Sequence, residues 1–180
     1  MEIRADAHIP FPREVVFVAY RDEIINLLPY LPNVRSIEVK SRKETGNVVD
    51  FVNEWRGGGD IPAAVRAVLS ESVLAWTDYA SWRTDELRCD WRTQTHAFAD
   101  AVTCSGTNMF LVEGEGKTLL EIRGSLTIDA KKIRGVPSMF AGKIGRAVEE
   151  FLVGKIQSNL VETANGVAKY LEDRQRAKGA

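Results

Sequence analysis

The sequence predicts an α+β domain in which a curved antiparallel sheet of about seven strands surrounds one long C-terminal helix, with two short helices after the first strand. Three observations carry this prediction. Strand-like segments separated by short polar turns fill most of the chain between Val34 and Asp129. A proline-free stretch from Ser138 to about Arg174 then places apolar residues at helical steps: Phe140, Ile144, Val148, Phe151, Leu152, Ile156, Leu160, Ala164, Val167 and Leu171. No linker, repeat or low-complexity segment divides residues 1–180, so strands and helix belong to one domain. Such a helix buries its apolar side most simply against the concave face of the sheet.

The elements follow in order. Residues 2–9 read as a short strand. Phe11-Pro12 opens a helix, since proline suits the first helical turn, and Val15 to Ala19 continue it to Arg21-Asp22. A second short helix covers Glu23–Leu28 and stops at Pro29-Tyr30-Leu31-Pro32, where each proline disfavours helix in the residue before it. Val34–Lys43 and Val48–Arg56 form a hairpin about Glu44-Thr45-Gly46-Asn47. Gly57-Gly58-Gly59 is a break that could hinge a gate or simply connect, and Ile61–Glu71 reads as one or two helical turns. Ser72–Thr84, Leu87–Phe98, Val102–Glu113 and Thr118–Asp129 are four more strands, and residues 174–180 read as a frayed polar tail.

The closing pattern spans 37 residues, about 55 Å as a helix, which outruns strands of this length. Its apolar stripe rotates near Gly154. Either the helix follows a strongly twisted sheet or it bends there. The half after Gly154 reads as the gripped core, and the half before it as a cavity wall or gate.

Composition excludes several functions. Twenty-four basic against 25 acidic residues leave a net charge of −1, which removes the electrostatic case for nucleic acid. The N-terminus lacks a signal-peptide core, and no apolar run approaches the roughly 20 residues of a membrane span. Cys89 and Cys104 have neither metal-ligand spacing nor disulfide-framework density, which fits a reduced cytoplasmic protein. Gly114-Glu115-Gly116-Lys117-Thr118 has a superficial likeness to a phosphate-binding loop. Position 111, where that pattern needs glycine, holds Leu111, and a strand follows, so it reads as a hairpin turn. His8 and His96 form no metal pattern, and no nucleophile arrangement is visible.

Sorting each strand by parity gives one apolar face. It carries Val49, Phe51 and Trp55; Leu74, Trp76, Ala80 and Trp82; Leu87, Cys89 and Trp91; Val102, Cys104, Phe110 and Val112; and Leu120, Ile122, Leu126 and Ile128. Asn53, Asp78, Thr93 and Asn108 are polar points on it, although a bulge would turn any of them outward. The aromatics of this face either line a pocket or simply fill the core.

The order of elements, with Phe11-Pro12-Arg13-Glu14-Val15-Val16-Phe17, Tyr20-Arg21-Asp22 and Leu31-Pro32-Asn33-Val34, resembles the START-like or Bet v 1-like superfamily of helix-grip proteins. The likeness is to its polyketide cyclase/lipid-transport branch and covers essentially the whole chain. It implies a cavity between sheet and helix for a small hydrophobic partner such as a lipid, quinone or polyketide. The expected lining is Phe51, Asn53, Trp55, Trp76, Asp78, Trp91, Asn108, Phe110 and Ile122 on the sheet, with Phe140, Ile144 and Val148 on the helix. Binding or carriage without cofactor or metal is the first expectation, with transient membrane contact compatible and the oligomeric state open. A cyclase or dehydratase is the second, with Asp78 as its candidate catalytic group. A scaffold or regulatory subunit that has lost its cavity is the third.

Overall fold

A computed structural model describes residues 1–58, 74–96, 99–129, 132 and 141–179; within the last stretch, the side chains of 141–145, 147–149, 151 and 152 lie outside the description. Seven strands form one antiparallel sheet: β1 (Glu2–Ile9), β2 (Val34–Thr45), β3 (Val48–Gly57), β4 (Ala75–Arg83), β5 (Arg88–Thr95), β6 (Val102–Val112) and β7 (Thr118–Ile128). Their order across the sheet is β1-β7-β6-β5-β4-β3-β2. Helix α1 (Arg13–Asp22) and a 3-10 helix (Ile24–Tyr30) connect the two edge strands, and α2 (Ala141–Gly179) closes the fold.

Local chemistry accounts for these elements. β1 alternates strictly, burying Ile3, Ala5, Ala7 and Ile9 against the interior. Pro12 starts α1, and its carbonyl accepts the amides of Val15 and Val16. The 3-10 segment runs through Pro29 to Tyr30, slightly beyond the expected end at Leu28. Gly114 and Gly116 hold φ angles of 75° and 68° in the β6–β7 turn, the left-handed conformation that a tight hairpin needs. The phosphate-loop likeness there is thus a turn. The Ile61–Glu71 segment and Gly59 lie outside the described residues.

Helix α2 is 39 residues long and passes through Gly154 without interruption. It also runs on to Gly179 where a polar tail was expected, with residues 175–179 exposed. After Gly154 it buries Ala164, Gly166, Val167 and Leu171, and Val153 is buried just before that glycine.

Two apolar clusters make the interior. The larger joins Val16, Phe17 and Tyr20 of α1 to Trp82, Phe110, Leu120 and Ile122 of the sheet and to Ala164, Val167 and Leu171 of α2. The smaller joins Ile3, Val102, Cys104, Leu126 and Val153. Trp91 and Leu160 pack against both.

Candidate functional site

Residues directly opposite on neighbouring antiparallel strands share a face, so the register sorts the inner surface into rows. Trp55, Trp76 and Thr95 form the first. Asn53, Asp78, Thr93, Cys104 and Leu126 form the second. Phe51, Ala80, Trp91, Gly106 and Gly124 form the third, and Val49, Trp82, Cys89, Asn108 and Ile122 the fourth. Register shifts are confined to the β2–β3 ladder, on the β2 side at Val34/Ser36 and Val39/Ser41. Parity therefore survives across β3 to β7, and Asp78 faces inward.

Between these rows and α2 lies a cavity of about 220 Å³. The sheet contributes Asn53, Trp55, Trp76, Asp78, Trp82, Cys89, Trp91, Thr93, Asn108 and Ile122 to its wall. Tyr20, Arg21 and Ile24 enter from α1 and the 3-10 helix, with Val34, Gly57 and Gly58 nearby. Helix α2 adds Lys155, Ile156, Asn159, Leu160 and Thr163, one continuous face at i, i+1, i+4, i+5 and i+8. An engineered cavity of about 150 Å³ holds benzene, so this volume suits a body of roughly two fused rings.

The space exists because of how the tryptophans lie. Trp55 and Trp76 stack nearly parallel, 5.8 Å between centroids and 11° between planes, along the wall. Trp91 reclines on the sheet over the Gly106–Gly124 pair. A methyl group at Gly106 would stand 2.5 Å from the Trp91 ring, and one at Gly124 3.1 Å from it. Asn108 pins the ring in place, its Oδ1 accepting the indole Nε1–H at 2.8 Å. Without the two glycines the indole would have to stand upright into the cavity.

Expectation and structure differ at two aromatic positions. Phe110 meets Phe17 and Tyr20 edge-on, at 5.3 and 5.7 Å, and is core rather than wall. Phe51 is likewise packed in the larger cluster, with the Arg42 guanidinium over its ring at 5.6 Å. Parity places both on the inner face but cannot say that α1 and its neighbours fill the space above them. Phe140 lies outside the described residues, as do the side chains of Ile144 and Val148. Asn53, Trp55, Trp76, Asp78, Trp91, Asn108 and Ile122 do come together on one cavity.

Sequence reasoning missed Tyr20, Lys155, Asn159 and Thr163. The last three carry a readable signal: their spacing of four is a polar stripe bordering Ile156 and Leu160. Tyr20 carries none, since its place depends on how α1 docks.

Electrostatics inside the cavity are set by burial. Desolvation pushes the Asp78 carboxyl up to about 7, opposed by a hydrogen bond from Asn53. Its residual accessibility is toward the cavity it lines. Burial likewise raises the Cys89 and Cys104 thiols, with Asp78 adding to both. Burial alone pushes the Tyr20 phenol far up. Four wall residues have a buried polar atom with no partner: Tyr20 Oη, Asn53 Oδ1, Trp55 Nε1 and Asn159 Oδ1. Unpaired buried polar atoms are uncommon, and here they share one space. Among the described residues no cluster of His, Cys, Asp and Glu could hold a metal ion. None of the described helices is long and apolar enough to cross a membrane.

These features define a class: a helix-grip protein with a mainly apolar, ligand-sized cavity under its closing helix. Solved structures share the architecture. A protein of Thermus thermophilus aligns with TM-score 0.68 and 23% identity over 97% of this chain and 99% of its own. The Zhui aromatase/cyclase of a Streptomyces species aligns with TM-score 0.70 and 17% identity over 100% and 98%. Norcoclaurine synthase from Thalictrum flavum, in complex with dopamine and hydroxybenzaldehyde, aligns with TM-score 0.65 and 10% identity over 96% and 87%. No protein-family model matches the chain, and no curated protein matches it in sequence. The chain has the START-like, Bet v 1-like fold.

Proposed function

We propose that this protein binds and carries a small, mainly apolar, ring-containing molecule in the cavity between sheet and α2. The observation that supports this most is the pairing of stacked indole walls with unpartnered polar atoms in one cavity. Apolar contact supplies affinity at roughly 25 cal/mol per Å² before ordering costs, and the polar atoms set orientation. Solvent extraction or native mass spectrometry of the purified protein tests it directly, followed by titration with quinones and polyketide-like aromatics. Wall tryptophan fluorescence should quench on binding, and Trp76→Ala should weaken it. Absence of any retained or titratable ligand would overturn the proposal.

A second reading is favoured by one residue. Asp78 holds its proton to about pH 7 inside the cavity, the state a general acid needs for cyclisation or dehydration chemistry. That reading requires Asp78→Asn to keep ligand affinity while losing turnover. Turnover undiminished in Asp78→Asn would remove it.

A further inference from the structure

Among the described residues, the helix side of the cavity carries a cation without a counter-charge. Lys155 lines the wall, half-buried, and makes no ion pair among the described residues. Other partly buried cations do find carboxylates: Arg21 with Asp22, Arg88 with Asp90 and Arg174 with Glu23, each at 2.7 Å. The only carboxylate in the described wall is Asp78, which sits on the sheet side in the second row. A nearby ammonium would hold that carboxyl low, whereas only burial and Asn53 act on it. Lys155 on α2 and Asp78 on β4 thus line the cavity from different elements and form no ion pair with each other. One turn along α2, the Asn159 carboxamide oxygen is buried without a partner. On the sheet, Asn53 Oδ1 and Trp55 Nε1, two residues apart on one face of β3, are an acceptor and a donor that are also unmet.

A ligand that meets Lys155 on one side and Asn53 with Trp55 on the other needs an anionic end, a flat apolar body and a hydrogen-bonding end. We propose, resting on the binding function above, that the ligand is an aromatic carboxylate whose acid accepts from the Lys155 ammonium and whose far end meets Asn53 and Trp55. The aromatic body follows from the walls, since the Trp55–Trp76 stack and the reclined Trp91 offer flat faces. A carboxylate satisfies the ammonium by a charge-assisted hydrogen bond in a site partly shielded from water.

The test is calorimetric titration at about pH 6, where a ligand carboxyl of ordinary pKa is ionised. Naphthoate is compared with naphthamide, its neutral counterpart of nearly equal size, and with octanoate. The expected result is about tenfold tighter binding of naphthoate than of naphthamide, with octanoate weaker than naphthoate. Lys155→Gln should abolish the preference for naphthoate over naphthamide, and Lys155→Arg should restore it. Naphthamide bound as tightly as naphthoate by the native protein would overturn this inference alone, as would a preference that survives Lys155→Gln. Octanoate bound as tightly as naphthoate would overturn the aromatic assignment. Failure of all three probes to bind would overturn the inference together with the binding function beneath it.

Discussion

At one end of the space between sheet and closing helix, Phe17, Tyr20, Trp82 and Phe110 close into an aromatic cluster, of which Tyr20 and Trp82 also reach the cavity wall; at the other, Trp55, Trp76 and Trp91 border that cavity. Both ends draw on the same sheet and the same helix, and both are rich in rings. The difference lies in a third element and in ring orientation. Helix α1 drives Phe17 and Tyr20 into the first end, where the rings meet edge-on at 5.3 to 5.7 Å and interlock across the space. At the second end the indoles lie along the wall, one pair stacked on itself and one ring laid over two glycines. Aromatic bulk fills an interior when it points across it and shapes a pocket when it lies flat.

Four experiments break or sharpen this contrast, the largest effect first. Phe110→Ala, in the interlocked end, should cost about 3–5 kcal/mol in urea unfolding, while Trp76→Ala, half-buried beside open space, should cost about half that or less. Equal costs would erase the distinction between the two ends. Gly106→Ala forces a methyl group against the Trp91 ring and the Arg123 carbonyl, both at 2.5 Å. It should cost about 1–3 kcal/mol and raise Trp91 into the cavity, changing near-ultraviolet circular dichroism and weakening ligand binding. An unchanged spectrum would mean that the glycine notch does not hold the ring down.

Asp78 links the open end to pH. Its carboxyl titrates near 3.8 when unperturbed and at about 7 in the fold, so the folded state holds the proton more tightly. Any contribution from that proton is complete below about pH 4, declines as pH rises toward 7, and is gone above it. Asp78→Asn should therefore be about 2 kcal/mol more stable than the native protein at pH 8, allowing for water in the cavity, with the gap narrowing toward pH 4. A gap that widens toward acid would show the carboxylate to be paired rather than desolvated. Smallest is the bridge that ties α2 to the start of the 3-10 helix. Glu23 accepts from Arg174 at 2.7 Å and from the Tyr170 hydroxyl at 2.7 Å. Glu23→Gln should cost about 1 kcal/mol or less in thermal unfolding without touching ligand binding, because the pair is partly solvated.

Much of this was legible in the residues. Alternation in the strands, with glycine and proline at the turns, placed six of the seven strand starts within a residue or so, because side-chain period and turn chemistry are local. The exception was β4, expected from Ser72 and found from Ala75. Parity brought Asn53, Asp78 and Asn108 to the inner face, since regular pairing across β3–β7 preserves a period of two. The same rule misplaced Phe51 and Phe110 in the cavity wall, for parity names a face and is silent on what stands above it. The contribution of Tyr20 was invisible for the same reason.

The chain by itself determined the succession of elements, the apolar inner face and the apolar side of α2, all consequences of short-range backbone geometry. It also determined the two glycines, though not their purpose. Only the tertiary structure decided which end of the interior is solid and which is open, because that depends on where α1 docks and how each indole turns. It alone set Lys155 and Asp78 on the wall of one cavity, residues 77 positions apart in sequence. The placing of titratable groups around a pocket is a property of packing, and no local pattern encodes it.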